Sequence, residues 1–358
     1  MLRFIHTLFL IFGLLCCCLG DAAQAAGKWD IYRVDGVDYV KLDDVWKFYR
    51  FKPKKGKVGC ISYGASDRVV SVKPSRQDFY VNNYRYILSY PVRDAGGHYL
   101  ISTIDVKKLV DPVLRPRLAA KAKAINTVVI DPGHGGHDAG AVSPYAREKD
   151  CNLAVGLKLK KLLEAQGFKV VMTRSGDYFL TLRQRVEIAN RTPDCIFVSI
   201  HHNSGRRAAS GIETFTLAPQ GTTSPFAKSR RFEELEGNNQ DSENIALATA
   251  VHSRCIKASK AIDRGIQRAR FSVLCTITRP AILFEGGFVS NPEEGKKISS
   301  PAYQNMLAQN ICEGIVAYNS TVSGGLRRTN KSSATPANRG SKSIRIHGNN
   351  EYRGTTRL

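Results

Sequence analysis

The chain has 358 residues, 42% of them hydrophobic, with 30 glycines and 14 prolines, which excludes a chain that is disordered or fibrous throughout and leaves room for two domains. Lys and Arg outnumber Asp and Glu by 53 to 31, a formal net charge of +22. In an intracellular protein that excess points first to nucleic acid.

The N-terminus removes that priority. Residues 1–26 place Arg3 before an apolar run from Leu8 to Leu19, followed by small residues from Ala22 to Ala26. This is the pattern of a cleaved signal peptide, and the run is shorter than the ~20 residues of a spanning helix. Export to the periplasm or cell envelope, or release from the cell, is therefore expected. Outside the cytoplasm the basic charge meets anionic wall polymers or membrane surfaces, and no nucleic-acid partner is expected. Cys16, Cys17 and Cys18 would leave with the signal. The six remaining cysteines are scattered, form no C-x-x-C pair, and leave disulfide pairing open.

Residues 28–115 read as a small α+β accessory domain. Its strands are "DYVKL", "VGCISYG", "DRVVSVKP", "FYVNNYRYILSY" and "HYLIST", with helices in "DDVWKFYRF" and "IDVKKLV". "YVKLDDVWKF" and "YLISTIDVKKL" echo each other, with Asp43 and Thr103 placed to cap the two helices. The segment resembles the copper amine oxidase N-terminal-like domains fused to bacterial wall enzymes. His98 stands alone here, so no copper is expected. Residues 116–125 form a basic linker.

From 126 to 319 the period changes. Strands in "TVVID", "KVVMTRS", "CIFVSI", "IETFTLA", "FSVLCTI" and "AILFEGG" alternate with helices in "DCNLAVGLKLKKLLEAQG", "LRQRVEIANR", "SENIALATAVHSRCIKAS" and "AYQNMLAQNICEGIVAYN". The first of these helices carries an apolar stripe of Leu153, Leu157, Leu159, Leu162 and Leu163, and Cys275 is expected to be buried on its strand. The pattern predicts an α/β domain with a largely parallel sheet flanked by helices on both faces, its ligand site beyond the carboxyl ends of the strands. Residues 320–358, with Glu351 their only acid, read as a disordered basic tail suited to an anionic wall or membrane surface.

One loop concentrates the chemistry. "VVIDPGHGGHDAGAV", Val128 to Val142, empties a strand into glycines, two histidines and two aspartates. It lacks both G-x-x-x-x-G-K-[ST] and G-x-G-x-x-G, so it is not a nucleotide cradle. A hydrolytic zinc site needs three protein donors, and more stand at neighbouring strand ends: Glu148 in "REKD" before a helix capped by Asp150, His201 and His202 in "VSIHHN", and Glu285 in "ILFEGGF". His201 and His202 point to opposite faces of an extended strand, and alternation does not choose between them.

In order and spacing, "DPGHGG", "REKD", "SIHHN", "GIETF", "RGIQRARFSVL" and "LFEGGFVSNPEE" resemble the zinc-dependent N-acetylmuramoyl-L-alanine amidases of the Amidase_3 type. The resemblance implies one Zn²⁺ held by His134, Glu148 and His201. It also implies a catalytic carboxylate, Glu285, and a peptidoglycan substrate cut between N-acetylmuramic acid and the L-alanine of the stem. Asn203, Asn291 and Arg185 fall in matching motifs as orienting residues. Where His137 and His202 stand, the family more often has Lys and a small residue. A monomer is expected, and any protein activator is left open. Ala218–Glu243 reads as an ordinary surface loop; the alternative is a cover for the site, with "SRRFEELE" its one helical stretch and Glu233, Glu234 or Glu236 the side chains that would reach the metal. The alternatives are a zinc deacetylase or peptidase acting on another wall amide, and a wall-binding protein without catalysis.

Overall fold

A computed structural model describes residues 29–66, 68–119, 124–224 and 227–323. The expected signal peptide and nearly all of the expected basic tail lie outside them. The N-terminal portion runs β1 (Tyr32–Val34), β2 (Val37–Lys41), α1 (Leu42–Phe48), β3 (Lys52–Lys54), β4 (Ile61–Ala65), β5 (Arg68–Val72), β6 (Asp78–Val81), β7 (Tyr84–Ile87), β8 (Arg93–Asp94) and β9 (Tyr99–Ser102). Then come α2 (Thr103–Asp105), a π-helical turn over Val106–Val110, α3 (Asp111–Leu114) and α4 (Pro116–Ala119).

The two echoing stretches pair with each other, Val40 opposite Ile101 in an antiparallel register. Their helix caps differ from those expected. Lys41 precedes α1, and Asp43 accepts a hydrogen bond from the Tyr63 hydroxyl instead. Ser102, one residue before Thr103, caps α2 by accepting from the Asp105 amide.

Beyond residue 124 lie β10 (Thr127–Pro132), α5 (Glu148–Ala165), β11 (Lys169–Met172), α6 (Leu182–Arg191), β12 (Cys195–Asn203), β13 (Ile212–Leu217), β14 (Thr222–Ser224) and β15 (Ala227–Arg231). They are followed by α7 (Asp241–Ser259), β16 (Asp263–Ala269), α8 (Ser272–Cys275), β17 (Ala281–Phe288), α9 (Pro292–Ile298) and α10 (Pro301–Val322). The strand order is β11-β10-β12-β17-β13-β16. The first four are parallel, β13 runs antiparallel to β17, and β16 runs parallel to β13. The architecture is α/β as expected, and β13 makes the sheet mixed.

Side-chain parity builds a core on each face of the sheet. Val128, Ile130, Ile196, Val198, Ile200, Ile282 and Phe284 pack with apolar residues of α5, α7 and α10. Val129, Phe197 and Leu283 pack on the other face with Val186 of α6 and Val273 of α8. The sheet then continues through β7-β6-β5-β4-β3, joined where Ile266 of β16 pairs with Tyr86 of β7. One apolar cluster holds Trp46, Tyr86 and Ile101 together with Val198, Leu247 and Ile311. Pairing β16 with β7 gives the backbone groups of both strands partners they would lack at an open edge.

Three local expectations are corrected. "FSVLCTI" is not a strand. The sheet position goes to the more polar "DRGIQRA" of β16, whose Arg264 and Gln267 hydrogen-bond buried Glu213, while Ser272–Cys275 turn as α8 and Cys275 is only half-buried. The buried stripe of α5 is Asn152, Val155, Gly156, Leu159 and Leu163, and Leu157 is exposed. The helix is turned so that Gly156 lies against β10, where a Cβ would come within 2.8 Å of Pro132 Cγ. "SRRFEELE" does not form a helix: Ala227–Arg231 pairs with β14 as a hairpin.

Candidate metal centre

Parity along β12 separates the two histidines. His202 shares the face of Val198 and Ile200, which the helices cover, and is 1% exposed. His201 shares the face of Phe197 and lines an open cleft with Asp131, Gly133, His134, Asp138 and Glu285. The choice that alternation left open is made by what covers each face.

His134 sits in the loop after β10 with φ of 62°, a left-handed conformation that costs a non-glycine residue energy and persists only where its surroundings hold it. The holders are two buried arginines. Arg185 donates to the His134 carbonyl at 2.8 Å, to the Pro132 carbonyl at 2.9 Å and to Asp131 at 2.7 Å. Arg174 donates to the carbonyls of Pro132 and Gly133, each at 2.9 Å. The His134 ring is aimed by Asp138, whose Oδ2 lies 2.8 Å from Nδ1. Nε2 is thereby left toward Glu148, 3.1 Å from Oε1.

Glu148 is the first residue of α5. The helix starts there with Arg147 as N-cap and no side-chain cap bond. Asp150, expected as the cap, lies in the first turn and pairs with Arg147 at 2.7 Å. The Glu148 amide bonds the Ala141 carbonyl at 2.8 Å, and the Ala141 amide donates to Oε2 at 2.9 Å. These ties fold the glycine loop back onto the helix start. His201 Nδ1 lies 2.9 Å from Oε1, and His134, Glu148 and His201 offer ligand atoms all within 4.8 Å of one another. Burial raises the Glu148 pKa, but hydrogen bonds and charge from His134 and His201 outweigh it and hold the carboxyl well below its usual range. Burial lowers the His134 pKa, and Glu148 and Asp138 reverse that to a net rise. Gly133 allows the close approach: a Cβ there would come within 2.1 Å of the His201 ring.

Glu285 of β17 stands beside His201 in the parallel register, with Glu213 of β13 on its other side. It is 8% exposed, and its Oε2 has no hydrogen-bond partner among the described residues. Burial, reinforced by the negative charge of Glu148 and Glu213, pushes its pKa well above the ordinary carboxylate value. Two imidazoles and a carboxylate thus converge beside a second buried carboxylate. That donor set suits a divalent ion such as zinc, whose charge would offset both acids.

The family profile described as N-acetylmuramoyl-L-alanine amidase (Amidase_3) matches residues 128–317. The chain belongs to this amidase family. It is 37% identical over 192 residues to the uncharacterized protein YqiI of Bacillus subtilis, covering 54% of this chain and 84% of that one. It is 33% identical over 243 residues to the N-acetylmuramoyl-L-alanine amidase AmiC of Escherichia coli O6:H1, covering 60% of this chain and 58% of that protein. With the amidase AmiA of Escherichia coli K12 it shares 30% identity over 226 residues, 56% of this chain and 78% of the other.

The amidase domain surrounds the three donors with residues that sequence reasoning missed. Asp138 was legible only as an acid four residues beyond His134. Asn152 donates to the Gly133 carbonyl at 3.2 Å and to Glu148 at 3.3 Å, and is itself held by His202 Nδ1 at 2.8 Å. His202 therefore stands behind the cleft, and burial lowers its pKa to about 4. Of the expected orienting residues, Arg185 holds the His134 loop. Asn203 donates to Glu213, and Asn291 caps α9. His137 is outside the donor group, exposed, with its ring on Phe179. Among the described residues, neither the cleft lining nor the donor group includes Glu233, Glu234 or Glu236.

Proposed function

We propose that this chain is an exported zinc amidase of peptidoglycan that cleaves the amide between the lactyl group of N-acetylmuramic acid and the L-alanine of the peptide stem. The observation that carries the reading is the group His134–Glu148–His201 with Glu285 on the same cleft. His134 through Nε2, His201 through Nδ1 and a Glu148 oxygen would hold the ion. A zinc ion bound there supplies positive charge that polarises the amide carbonyl and brings the pKa of a water toward ~7.

The chain's own residues handle position and proton. Asp138 fixes the His134 tautomer, and Arg174 and Arg185 keep the loop backbone in place. Glu285 accepts the proton of the attacking water and delivers it to the departing amine nitrogen as the C–N bond breaks. Export rests on the N-terminal pattern of Arg3 and the run Leu8–Leu19, and attraction to anionic wall material on the basic residues after Asn319.

Digestion of purified peptidoglycan followed by mass analysis tests bond choice and metal need together. Free stem peptides beginning with L-alanine are expected, with release abolished by a chelator and restored by zinc. Release of acetate, or of peptides cut within the stem, would exclude the amidase reading. Asp138→Asn is expected to weaken zinc affinity by about 10–100-fold, measured by competition with a chromogenic chelator. Unchanged affinity would leave Asp138 without its orienting role.

A further inference from the structure

Beside the cleft, the segment leading into α6 exposes a cluster of apolar side chains, of which Phe179 and Leu182 line the cleft itself. Tyr178, Phe179 and Leu182 are 45%, 39% and 54% exposed, close together in sequence, whereas isolated exposed apolar residues are ordinary on protein surfaces. Phe179, Leu180 and Leu182 line the same cleft as His134, His201 and Glu285. The His137 imidazole lies on the Phe179 ring, centroids 4.2 Å apart. The rim thus presents flat rings, and its acid is engaged: Asp177 accepts from Lys149 at 2.7 Å and from the Gly136 amide at 2.8 Å.

The loop bearing these rings is tied to the loop bearing His134. Lys149 also donates to the Gly136 carbonyl at 2.8 Å. Gly135 and Gly136 permit the contact, since Cβ atoms there would come within 2.3 Å of the Tyr178 carbonyl oxygen and 2.8 Å of the Phe179 amide nitrogen. The Ser175 amide donates to the Tyr178 hydroxyl at 3.2 Å. Rings held this way lose little freedom on binding, which favours a recognition surface.

We infer that Tyr178 and Phe179, with His137 beside them, form a platform for the sugar rings of the glycan strand next to the scissile amide. This rests on the peptidoglycan reading of the site. The occupant is chosen by chemistry. A pyranose presents a flat C–H face that matches an aromatic plane, whereas a stem peptide brings carboxylates, and the cations beside this rim are already paired, Lys149 with Asp177, Arg183 with Glu187 and Arg185 with Asp131. The platform orients the lactyl amide over the donor group from the sugar side.

The test uses zinc-loaded protein carrying Glu285→Gln, so that binding is read without turnover. Its ligands are glycan strands stripped of stems and, separately, a free stem peptide. Adding Tyr178→Ala and Phe179→Ala is expected to weaken glycan binding by roughly tenfold or more and leave stem binding unchanged. Phe179→Leu, which keeps apolar volume without the flat face, is expected to lose most of the Phe179 contribution, and Phe179→Tyr to keep it. Equal glycan affinity in the parent and the double variant would overturn the platform, as would full retention in Phe179→Leu or loss confined to the stem peptide. Failure of the parent chain to release stems from peptidoglycan would instead count against the amidase reading, because glycan binding is measured independently of hydrolysis.

Discussion

Replacing Glu285 by Gln is expected to cut peptidoglycan hydrolysis by about 10²–10⁴-fold, the range associated with a positioned general acid–base group, while zinc content stays near that of the parent. The substitution keeps the shape of the side chain and removes its ability to shuttle a proton. The amide is neutral and of nearly the same size, so it adds no charge to the buried position of Glu285. His134→Ala is expected to behave differently, losing both bound zinc and activity, since it deletes one of three donors. Metal content by atomic emission, measured alongside the rate of stem release, separates the two. Near-parental turnover in Glu285→Gln would remove the proton-transfer role. Full zinc content in His134→Ala would remove His134 from the ligand set.

The second large effect is on stability. Arg185 and Asp131 form an ion pair at 2.7 Å with both side chains almost fully enclosed. Asp131 is otherwise held by the hydroxyls of Thr173 at 2.6 Å and Ser199 at 2.8 Å. Removing one partner of a buried pair leaves an uncompensated charge, and Arg185→Ala is expected to cost about 3–5 kcal/mol. It also takes away donors to the Pro132 and His134 carbonyls, so zinc affinity should fall with stability. Denaturant titration gives the first quantity and chelator competition the second. Arg185→Lys should recover only part of either, because an ammonium does not reproduce the planar fork that spans Asp131 and two carbonyls. A loss below about 1 kcal/mol in Arg185→Ala would show that the pair is not what holds the loop.

Much of the site was legible before any coordinates. His134, Glu148, His201 and Glu285 stand in separated motifs, each at the end of a strand or the start of a helix, where an α/β fold gathers its ligands. The structure gathers His134, Glu148 and His201 within 4.8 Å of one another, and lines one cleft with His134, His201 and Glu285. The residues that aim them were less visible. Asp138, Asn152 and Arg174 act through a single ring nitrogen, one carboxylate oxygen and a few carbonyls, and such contacts carry no periodicity. Local pattern also misled where buried polar partners outweighed apolar alternation: β16 takes its place in the sheet with Arg264 and Gln267 bonded to Glu213, while apolar "FSVLC" closes the core as a turn and a short helix.

From residue order came the alternation of strands and helices, the loop too poor in phosphate-binding signals to be a nucleotide site, and a set of His and Glu candidates at strand and helix ends, from which the family resemblance singled out His134, Glu148, His201 and Glu285. Those features depend on near neighbours in the chain, so a linear reading reaches them. Tertiary packing alone decided that His202 is enclosed while His201 faces the cleft, that α5 turns its glycine rather than Leu157 toward β10, and that β7 of the N-terminal portion extends the sheet of the amidase domain. Each is settled by a surface contributed from far along the chain, and the burial of that surface, more than any local preference, fixes which face of an element looks inward.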